Sequence, residues 1–397
     1  MKKLRVGILF GGRSGEHEVS LLSAASVFKA IDKDKYEVVP IGITKQGHWV
    51  TAADAERLLN GKAADSEDRH LRAGNPQATP AAAVLASGES VVVPPEPQNP
   101  GSSMAAFQTH NAMVRRAADR AINVDIIFPV LHGTFGEDGT IQGLLELADL
   151  PYVGAGVLGS AAGMDKDIMK ALFRAAGLPI VKHVTVLRGE WEAEPKKVQK
   201  QVESKVKYPV FVKPANLGSS VGISKAHDRK ELGPAIDEAA RFDRKIVIEQ
   251  GVGGRKHKAR EIECSVLGND EPEASLPGEI VPGQEFYDYN AKYLDEGSQL
   301  IIPAKLSKAE TKKVQQLAIA AFKAVDCSGL ARVDFLMEPK TRKIYLNEIN
   351  TMPGFTSISM YPKLWAASGV SYPELIERLI QLGMERHLEK KQNQYSR

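Results

Sequence analysis

Short apolar runs alternate along the chain with segments in which apolar residues recur at helical spacing. Residues 4–10 form an apolar run that ends at a glycine-rich loop, and a helix-spaced pattern follows over 19–30. The runs at 36–43 and 124–131 predict two more strands, and the second is almost continuously apolar, which is typical of a strand buried on both faces. The pattern predicts an α/β domain with a largely parallel sheet.

From Gly154 onwards the pattern predicts two α+β units. The predicted helices are 166–176 and 308–325, and the predicted strands are 182–187, 210–213, 246–250, 331–337 and 343–350. The charged segment 385–397 predicts a frayed, solvated end of a helix. The expected domains are 1–154 with an Ala- and Pro-rich elaboration at about 51–123, then 155–251, then 252–397.

The composition is that of an ordinary folded, soluble protein. Of 397 residues, 43% are hydrophobic and 25% are charged, so the chain can bury a sizeable core. The net charge of +3 is too small to hold a nucleic-acid backbone, and no apolar stretch approaches the roughly 20 residues that span a bilayer. The two cysteines exclude a disulfide framework and a four-cysteine zinc site, and they fit a reducing cytoplasm. We expect no nucleic-acid partner and no membrane partner.

Two predicted strands of the first domain end at side chains that can do chemistry. Glu16 lies in the loop "GGRSGEH" at the start of a helix, and His132 follows the buried strand in "VLHGTFGEDG". Open α/β sheets bind ligands at the carboxyl ends of their strands, so the two side chains are candidates for one site. The alternatives are a carboxylate that only complements the helix dipole and a histidine with a structural role.

The segment "VKPANLGSSVGISK" has the composition of a phosphate-binding loop. Lys213 ends an apolar strand, and the small and hydroxyl residues Gly218, Ser219, Ser220 and Gly222 follow it. Small residues let backbone N–H groups approach phosphate oxygens, hydroxyls add donors, and the lysine adds charge. The alternative is a surface hairpin with an exposed lysine.

Two strands around a turn at Thr341 bring four polar side chains together. If the hairpin is symmetric about this residue, Asp334 lies opposite Glu348 and Arg332 lies opposite Asn350. Strand side chains alternate, so all four share one face, while the other face is apolar. Facing carboxylates with a nearby amide suit Mg²⁺ that also holds substrate phosphates. The alternative is a charged solvent face.

These motifs, in their order, resemble the D-alanine–D-alanine ligases of the ATP-grasp superfamily over nearly the whole chain. The motifs are "GGRSGEHEVS", "LHGTFGEDGTIQG", "GMDK", "VKPANLGSSVGISK", "EFYDYNAKY", "ARVDF" and "NEINTMPGFT". The resemblance implies a three-domain ATP-grasp architecture, α/β and α+β, with a Rossmann-like parallel-sheet N-terminal domain. It also implies ATP-dependent ligation of two D-alanines through an acylphosphate, in the synthesis of peptidoglycan precursors.

The resemblance further implies roles for individual residues. The first substrate is expected at Glu16, which is linked by hydrogen bonds to Ser219 and Tyr293, with His132 beside it. The residues expected at ATP are Lys166, Lys213, Ser220, Glu249 (adenine), Glu261 (ribose) and Lys292. The expected metal ligands are Asp334, Glu348 and Asn350. Arg332 and the backbone N–H of Gly354 are expected to form the oxyanion site, and Ser359 and Met360 to receive the second carboxylate.

The implied cofactors are ATP and two Mg²⁺ or Mn²⁺ ions, and the implied state is a cytoplasmic homodimer that acts on D-alanine. Tyr293 favours the dipeptide over D-alanyl-D-lactate. One alternative is a sister ATP-grasp ligase that makes D-alanyl-D-lactate or D-alanyl-D-serine, and another is a non-catalytic nucleotide-binding regulator. The intact polar face of the hairpin argues against the regulator, because a protein without activity has no reason to keep all four residues.

Overall fold

The computed structural model describes most of the chain. The described residues are 3–51, 81, 85, 89–92, 104–106, 121–218, 220–254, 257–282 and 299–395. Ser219, Lys292, Tyr293 and most of the segment 51–123 lie outside them, and what the sequence predicts for these positions stays a prediction. Within the described ranges, no helix is long and apolar enough to cross a membrane.

The first sheet has a parallel centre and an antiparallel edge. Its strands are β1 (Leu4–Gly11), β2 (Tyr36–Ile43), β3 (Trp49–Thr51), β4 (Glu89–Val92), β5 (Met104–Ala106), β6 (Ala121–Ile122) and β7 (Ile126–Pro129). β1 pairs in parallel with β2 on one side and with β7 on the other, whereas β3 to β6 extend the sheet beyond β2 in antiparallel order. The helix α1 (His17–Ala30) lies between β1 and β2, and β7 is followed by α2 (Thr140–Leu147), α3 (Val157–Met164) and α4 (Lys166–Ala175). The predicted α/β class is confirmed, and the described part of the Ala- and Pro-rich elaboration adds the antiparallel edge of the sheet.

The central sheet is antiparallel and has a core of its own. Its strands are β8 (His183–Leu187), β9 (Val210–Pro214), β10 (Ser224–Ala226) and β11 (Lys245–Gln250), in the spatial order β10-β9-β11-β8. The helices α5 (Arg188–Ala193), α6 (Pro195–Lys205) and α7 (Arg229–Phe242) accompany it. Residues Val212 and Ile248 of the sheet pack with Leu232 and Ile236 of α7 in one apolar cluster.

The third sheet carries the predicted polar hairpin. Its strands are β12 (Arg260–Gly268), β13 (Glu273–Ala274), β14 (Gly278–Val281), β15 (Gln299–Ile301), β16 (Gly329–Met337) and β17 (Ile344–Asn350). The order is β15-β14-β12-β16-β17, and β13 pairs with β12. The helices are α8 (Lys308–Ala324), α9 (Met360–Ala367) and α10 (Tyr372–Lys390). The predicted helices and strands of this region agree with the structure to within two residues at each end.

A bulge in β17 sets the register of the hairpin. Near the turn, Phe335 pairs with Leu346, one residue away from the symmetric pairing. Asn347 has no partner on β16, and beyond it Asp334 pairs with Glu348 as predicted. The symmetric pairing is therefore wrong beside the turn and right at the polar face, because the extra residue of a bulge shifts the register by one.

The C-terminal helix packs against the first sheet instead of fraying. α10 continues to Lys390, and the guanidinium of Arg386 lies 4.1 Å from the ring centre of Tyr152. Leu379 of the same helix is fully buried in one cluster with Val6 of β1. The predicted fraying is wrong as far as Lys390, because Arg386 and Lys390 contact Tyr152 and Glu146, although residues 388–390 are exposed to solvent as predicted.

Candidate active site

A cleft with a volume of about 400 Å³ lies between the central and third sheets and reaches the strand ends of the first sheet. The cleft brings together the candidate residues that the structure describes. These are Glu16, His132, Lys166, Lys213, Ser220, Glu249, Glu261, Arg332, Asp334, Glu348, Asn350, Gly354, Ser359 and Met360. They come from the three sheets and from the loops between them, so the convergence depends on the whole fold.

Glu16 lies between β1 and α1 and is 8% exposed. Its side chain makes no capping hydrogen bond to α1, so capping does not account for its position. A methyl group at Gly218 would overlap Oε1 of Glu16, and one at Gly133 would lie 3.2 Å from the same atom. The glycine loop of the central sheet therefore rests directly on this carboxylate.

His132 connects the first sheet to the loop that follows β17. Its Nδ1 donates a hydrogen bond of 3.1 Å to the carbonyl oxygen of Met352, and its Nε2 lies 3.0 Å from the hydroxyl of Ser23 on α1. The same hydroxyl oxygen accepts a hydrogen bond of 3.2 Å from the N–H of Phe355. His132 therefore has a structural role, because its ring holds the loop at Met352. The same ring also lines the cleft.

Glu137, which the sequence reasoning missed, lies beside His132. One of its oxygens is 3.7 Å from Nδ1 of the histidine. Burial raises the pKa of Glu137 to about 7, and the nearby Glu16 carboxylate acts in the same direction. A carboxyl group with such a pKa can take up or release a proton near neutral pH. Its signal was its place in the same glycine-rich loop, five residues after His132.

Buried lysines line the floor of the cleft. Nζ of Lys213 lies 2.9 Å from Oε2 of Glu249 and 3.4 Å from the amide oxygen of Asn347. Nζ of Lys166 donates a hydrogen bond of 2.8 Å to the carbonyl oxygen of Leu217, and it lies 3.9 Å from Glu348. Lys213 is 8% exposed, so the alternative of a surface hairpin with an exposed lysine is wrong.

Burial and charge act in opposite directions on these groups. Burial alone would raise the pKa of Glu249, but Lys170 and Lys213 hold it well below its usual range. Burial lowers the pKa of Lys166. For Lys213, burial would lower the pKa, but Glu249 and Glu348 raise it above its ordinary value. The floor of the cleft therefore holds fixed charges of both signs close together.

Arg332 lies between two carboxylates on the polar face of the hairpin. Its Nε and Nη2 each donate a hydrogen bond of 2.7 Å to Asp334. Glu263 faces Asp334 across β12 and β16, and its Oε2 is 3.1 Å from Nε of the arginine. The side chains of Asp334 and Glu348 are 13% and 23% exposed, so a charged solvent face does not describe this patch. Sequence reasoning missed Glu263, although it follows Glu261 by two residues on one strand.

The polar face of the hairpin carries oxygen ligands that suit a hard cation. In this structure, however, the guanidinium of Arg332 is hydrogen-bonded to Asp334. Two carboxylates and an amide oxygen are ligands that Mg²⁺ prefers. Asn350 donates a hydrogen bond of 3.0 Å to the Asp334 oxygen that Arg332 also contacts. No group of three or more His, Cys, Asp or Glu has a metal-binding arrangement in the part of the chain that the structure describes. The donor set fits a cation once Arg332 and the amide of Asn350 turn away from Asp334.

The loop after β17 ends in a helix N-terminus that opens into the cleft. The Ser359 hydroxyl, directly before α9, accepts a hydrogen bond of 3.0 Å from the N–H of Thr356. Met360 is buried with Ile280 and Leu364 in a small apolar cluster. N–H groups at a helix start bind anions, so this end of the cleft suits a carboxylate.

Two sequence profiles together cover most of the chain. One described as D-ala D-ala ligase N-terminus matches residues 5–155. One described as D-ala D-ala ligase C-terminus matches residues 172–381. The chain is 49% identical over 393 residues to the D-alanine–D-alanine ligase of Heliobacterium modesticaldum, covering 99% of this chain and 98% of the relative. It is 47% identical over 394 residues to that of Natranaerobius thermophilus, with the same coverage of 99% and 98%.

Solved structures agree with this likeness. The D-alanine-D-alanine ligase from Coxiella burnetii has a TM-score of 0.79 and 36% identity, and the match covers 99% of this chain and 97% of that one. The VanG D-Ala:D-Ser ligase from Enterococcus faecalis has a TM-score of 0.77 and 35% identity, with coverage of 96% and 100%. In sequence identity, the two relatives named above are thus more similar to this chain than either of these two solved structures.

Proposed function

The chain belongs to the D-alanine–D-alanine ligase family, and we propose that it joins two D-alanines while ATP is converted to ADP and phosphate. The carboxylate of the first D-alanine attacks the γ-phosphoryl group, and an acylphosphate forms. The amine of the second D-alanine then attacks the acyl carbon, and phosphate leaves from the tetrahedral intermediate. The observation that carries the proposal is the convergence of the described candidate residues in one cleft. The dipeptide serves peptidoglycan synthesis.

We assign the first D-alanine to the region between Glu16 and Arg332. The Glu16 carboxylate is buried and suits an ammonium group, and Arg332 suits a carboxylate and later an oxyanion. The backbone N–H of Gly354 completes the oxyanion site. The close approach of Gly218 to Glu16 supports this arrangement, because the proposed phosphate loop and the proposed amino-acid site then adjoin. Ser219 and Tyr293, which are expected to support Glu16, lie outside the described residues.

We assign ATP to the cleft between the central and third sheets. Phe211 and Leu336 line the cavity from opposite sheets and suit the two faces of a purine. Glu249 lies at the adenine and Glu261 at the ribose. Lys166, Lys213 and Ser220 contact the phosphates, because phosphoryl transfer depends mainly on positioning and on neutralising charge. Lys292, the remaining phosphate contact, lies outside the described residues.

We assign two Mg²⁺ or Mn²⁺ ions to Asp334, Glu348 and Asn350. When bound, the ions neutralise the phosphate oxygens and orient the γ-phosphoryl group. The chain's own part is to hold these ligands on one face, which the pairing of Asp334 with Glu348 does. Asp334 would then hold a cation in place of Arg332, and the guanidinium of Arg332 would pair with the substrate carboxylate.

We assign the carboxylate of the second D-alanine to Ser359 and Met360 at the start of α9. The hydroxyl of Ser359 and the N–H groups of the first helical turn are donors to an anion there. His132 holds the preceding loop through its hydrogen bond to Met352, so it affects both substrates through position. The apolar cluster around Met360 limits the room for a larger side chain.

We propose the three domains 1–154, 155–251 and 252–397, and a homodimer. Each of the three sheets falls within one of these ranges. Leu147, Val157 and Leu158 on the neighbouring helices α2 and α3 are 64%, 42% and 63% exposed. Exposed apolar residues on one face of a globular protein indicate an interaction surface. A second copy of the chain is the occupant we assign to it.

With Mg²⁺, ATP and D-alanine, the enzyme is expected to release phosphate and D-alanyl-D-alanine in equal amounts. Phosphate release and mass analysis of the products measure this, with D-lactate, D-serine and L-alanine offered in parallel. D-Alanyl-D-serine or D-alanyl-D-lactate as the faster product would replace the proposal by a sister ligase. ATP binding without any product would indicate a regulator.

Gly218→Ala is expected to raise the KM for D-alanine more than the KM for ATP, because the added methyl group displaces the Glu16 carboxylate. The expected rise is about 10-fold or more, comparable to the loss of a hydrogen bond to a charged group. Steady-state kinetics with each substrate varied in turn measure it. Gly143→Ala is the control, since its methyl group meets no atom within 4 Å. Equal changes in both KM values would contradict the position of Glu16.

Glu348→Ala is expected to lower kcat at least about 100-fold, because a metal ligand next to the phosphates is lost. Binding of Mn²⁺ in the presence of ADP, followed by electron paramagnetic resonance, is expected to weaken as well. The thermal unfolding midpoint without metal stays that of the parent enzyme. Glu192→Ala, at an exposed residue of α5, serves as the control. Normal Mn²⁺ binding in the Glu348 variant would exclude this ligand.

Light scattering at micromolar concentration is expected to give twice the chain mass of 43.2 kDa. Leu158→Glu places a charge on the exposed apolar face and is expected to give the mass of one chain. Leu388→Glu, at an exposed leucine of α10, is the control and stays dimeric. A single-chain mass for the parent enzyme would contradict the homodimer.

A further inference from the structure

One charged side chain in the interior has no role in the chemistry described above. Lys170 lies on α4, one turn after Lys166, and is fully buried. An ammonium group removed from water is stable only when anions or carbonyl oxygens surround it. Lys170 does not line the cleft, so its effect on a ligand must pass through its neighbours.

Two groups from two different sheets hold this ammonium. Nζ of Lys170 lies 2.9 Å from Oε1 of Glu249 on β11. The same Nζ donates a hydrogen bond of 2.9 Å to the backbone oxygen of Asn347 on β17. Lys170 therefore joins the central sheet to the third sheet at the floor of the cleft.

The bulge in β17 makes the second of these contacts possible. Asn347 is the residue without a pairing partner on β16, so its carbonyl group is not taken up by the pairing of these two strands. Directly after it comes Glu348, whose side chain faces Asp334. A lysine that holds the bulge thus also holds the backbone next to a proposed metal ligand.

The Glu249 carboxylate has a cation at each oxygen, and the residue lines the cleft. Lys213 contacts Oε2 and lines the cleft, whereas Lys170 contacts Oε1 from the interior. Oε1 is buried against Lys170, so a ligand in the cleft meets this carboxylate on the side of Oε2 and Lys213. An ionised carboxylate only accepts hydrogen bonds, so a ligand at Glu249 must offer an N–H or O–H group.

We propose that Lys170 is a positioning residue for nucleotide recognition. Lys170 holds the Glu249 carboxylate in the position in which it accepts a hydrogen bond from the exocyclic amine of adenine. It also links that carboxylate to the backbone of β17 beside Glu348. The inference rests on the ATP site proposed above. ITP carries an oxygen in place of the amine and is therefore repelled by the same carboxylate, so Lys170 sets the preference for ATP over ITP.

Lys170→Met in the full-length enzyme tests this positioning role. The KM for ATP is expected to rise about 10- to 100-fold, as for a lost hydrogen bond to a charged group, while the KM for D-alanine stays within about two-fold. The preference for ATP over ITP, measured as the ratio of kcat/KM values, is expected to fall at least about 10-fold. Lys170→Gln, which keeps a donor for Asn347 without the charge, is the second variant in case the methionine variant fails to fold.

Lys245→Met is the matched control for the loss of a lysine from an ion pair. Lys245 lies on the same strand as Glu249, pairs with Asp165 at 2.8 Å and does not line the cleft. This variant is expected to keep the parent preference for ATP over ITP. If the ATP-to-ITP ratio of this variant fell as much as that of the Lys170 variant, any broken ion pair in this region would have the same effect. That result would overturn the proposal.

A double-mutant cycle with Glu249→Gln separates a positioning role from a general structural one. If Lys170 acts through Glu249, the Lys170 change alters the ATP-to-ITP ratio less than about two-fold once Glu249→Gln is present. Additive effects, or parallel losses for ATP, ITP and D-alanine, would overturn the proposal. A parent-like ratio in Glu249→Gln alone would overturn it too, while dipeptide formation by the parent enzyme would leave the ligase function standing.

Discussion

The bulge at Asn347 of β17 sets the register in which Asp334 lies opposite Glu348. A slip of β17 by one residue would turn Glu348 away from the cleft and bring its apolar neighbour Ile349 towards it. The carbonyl group of the bulge is in turn held by Lys170, and Lys170 is paired with Glu249 on the central sheet. Glu249 and the backbone beside Glu348 are therefore held by the same side chain.

The cleft keeps its charges fixed by pairing them with one another. Arg332 is held between Asp334 and Glu263, and Lys213 is held against Glu249. Charges that are already oriented need little rearrangement when negative charge develops on a substrate, which is the main electrostatic contribution to acyl and phosphoryl transfer. Pairing within the cleft thus keeps several oriented cations in one place, in a chain whose net charge is only +3.

The sequence predicted the features that depend on local periodicity. Alternation along two strands was enough to place Asp334 opposite Glu348, and the rule that strand ends bind ligands was enough to bring Glu16 towards His132. Lys170 could not be predicted, since helical spacing puts it on the face of Lys166 but does not reveal its partner on a distant strand. The end of α10 was mispredicted for the same reason, because its charged side chains pair with Glu146 on α2 and with Asp149 just after it.

The fold also joins segments that are far apart in the chain. The hydroxyls of Ser26 on α1 and Tyr372 on α10 are 3.0 Å apart although 346 residues separate them. Leu375 and Leu379 of α10 complete the apolar cluster that begins with Val6 and Ile8 of β1. During synthesis, part of the apolar face of the first sheet therefore stays uncovered until α10 has been made. Contacts between such distant segments form slowly, and the uncovered apolar face can aggregate in the meantime.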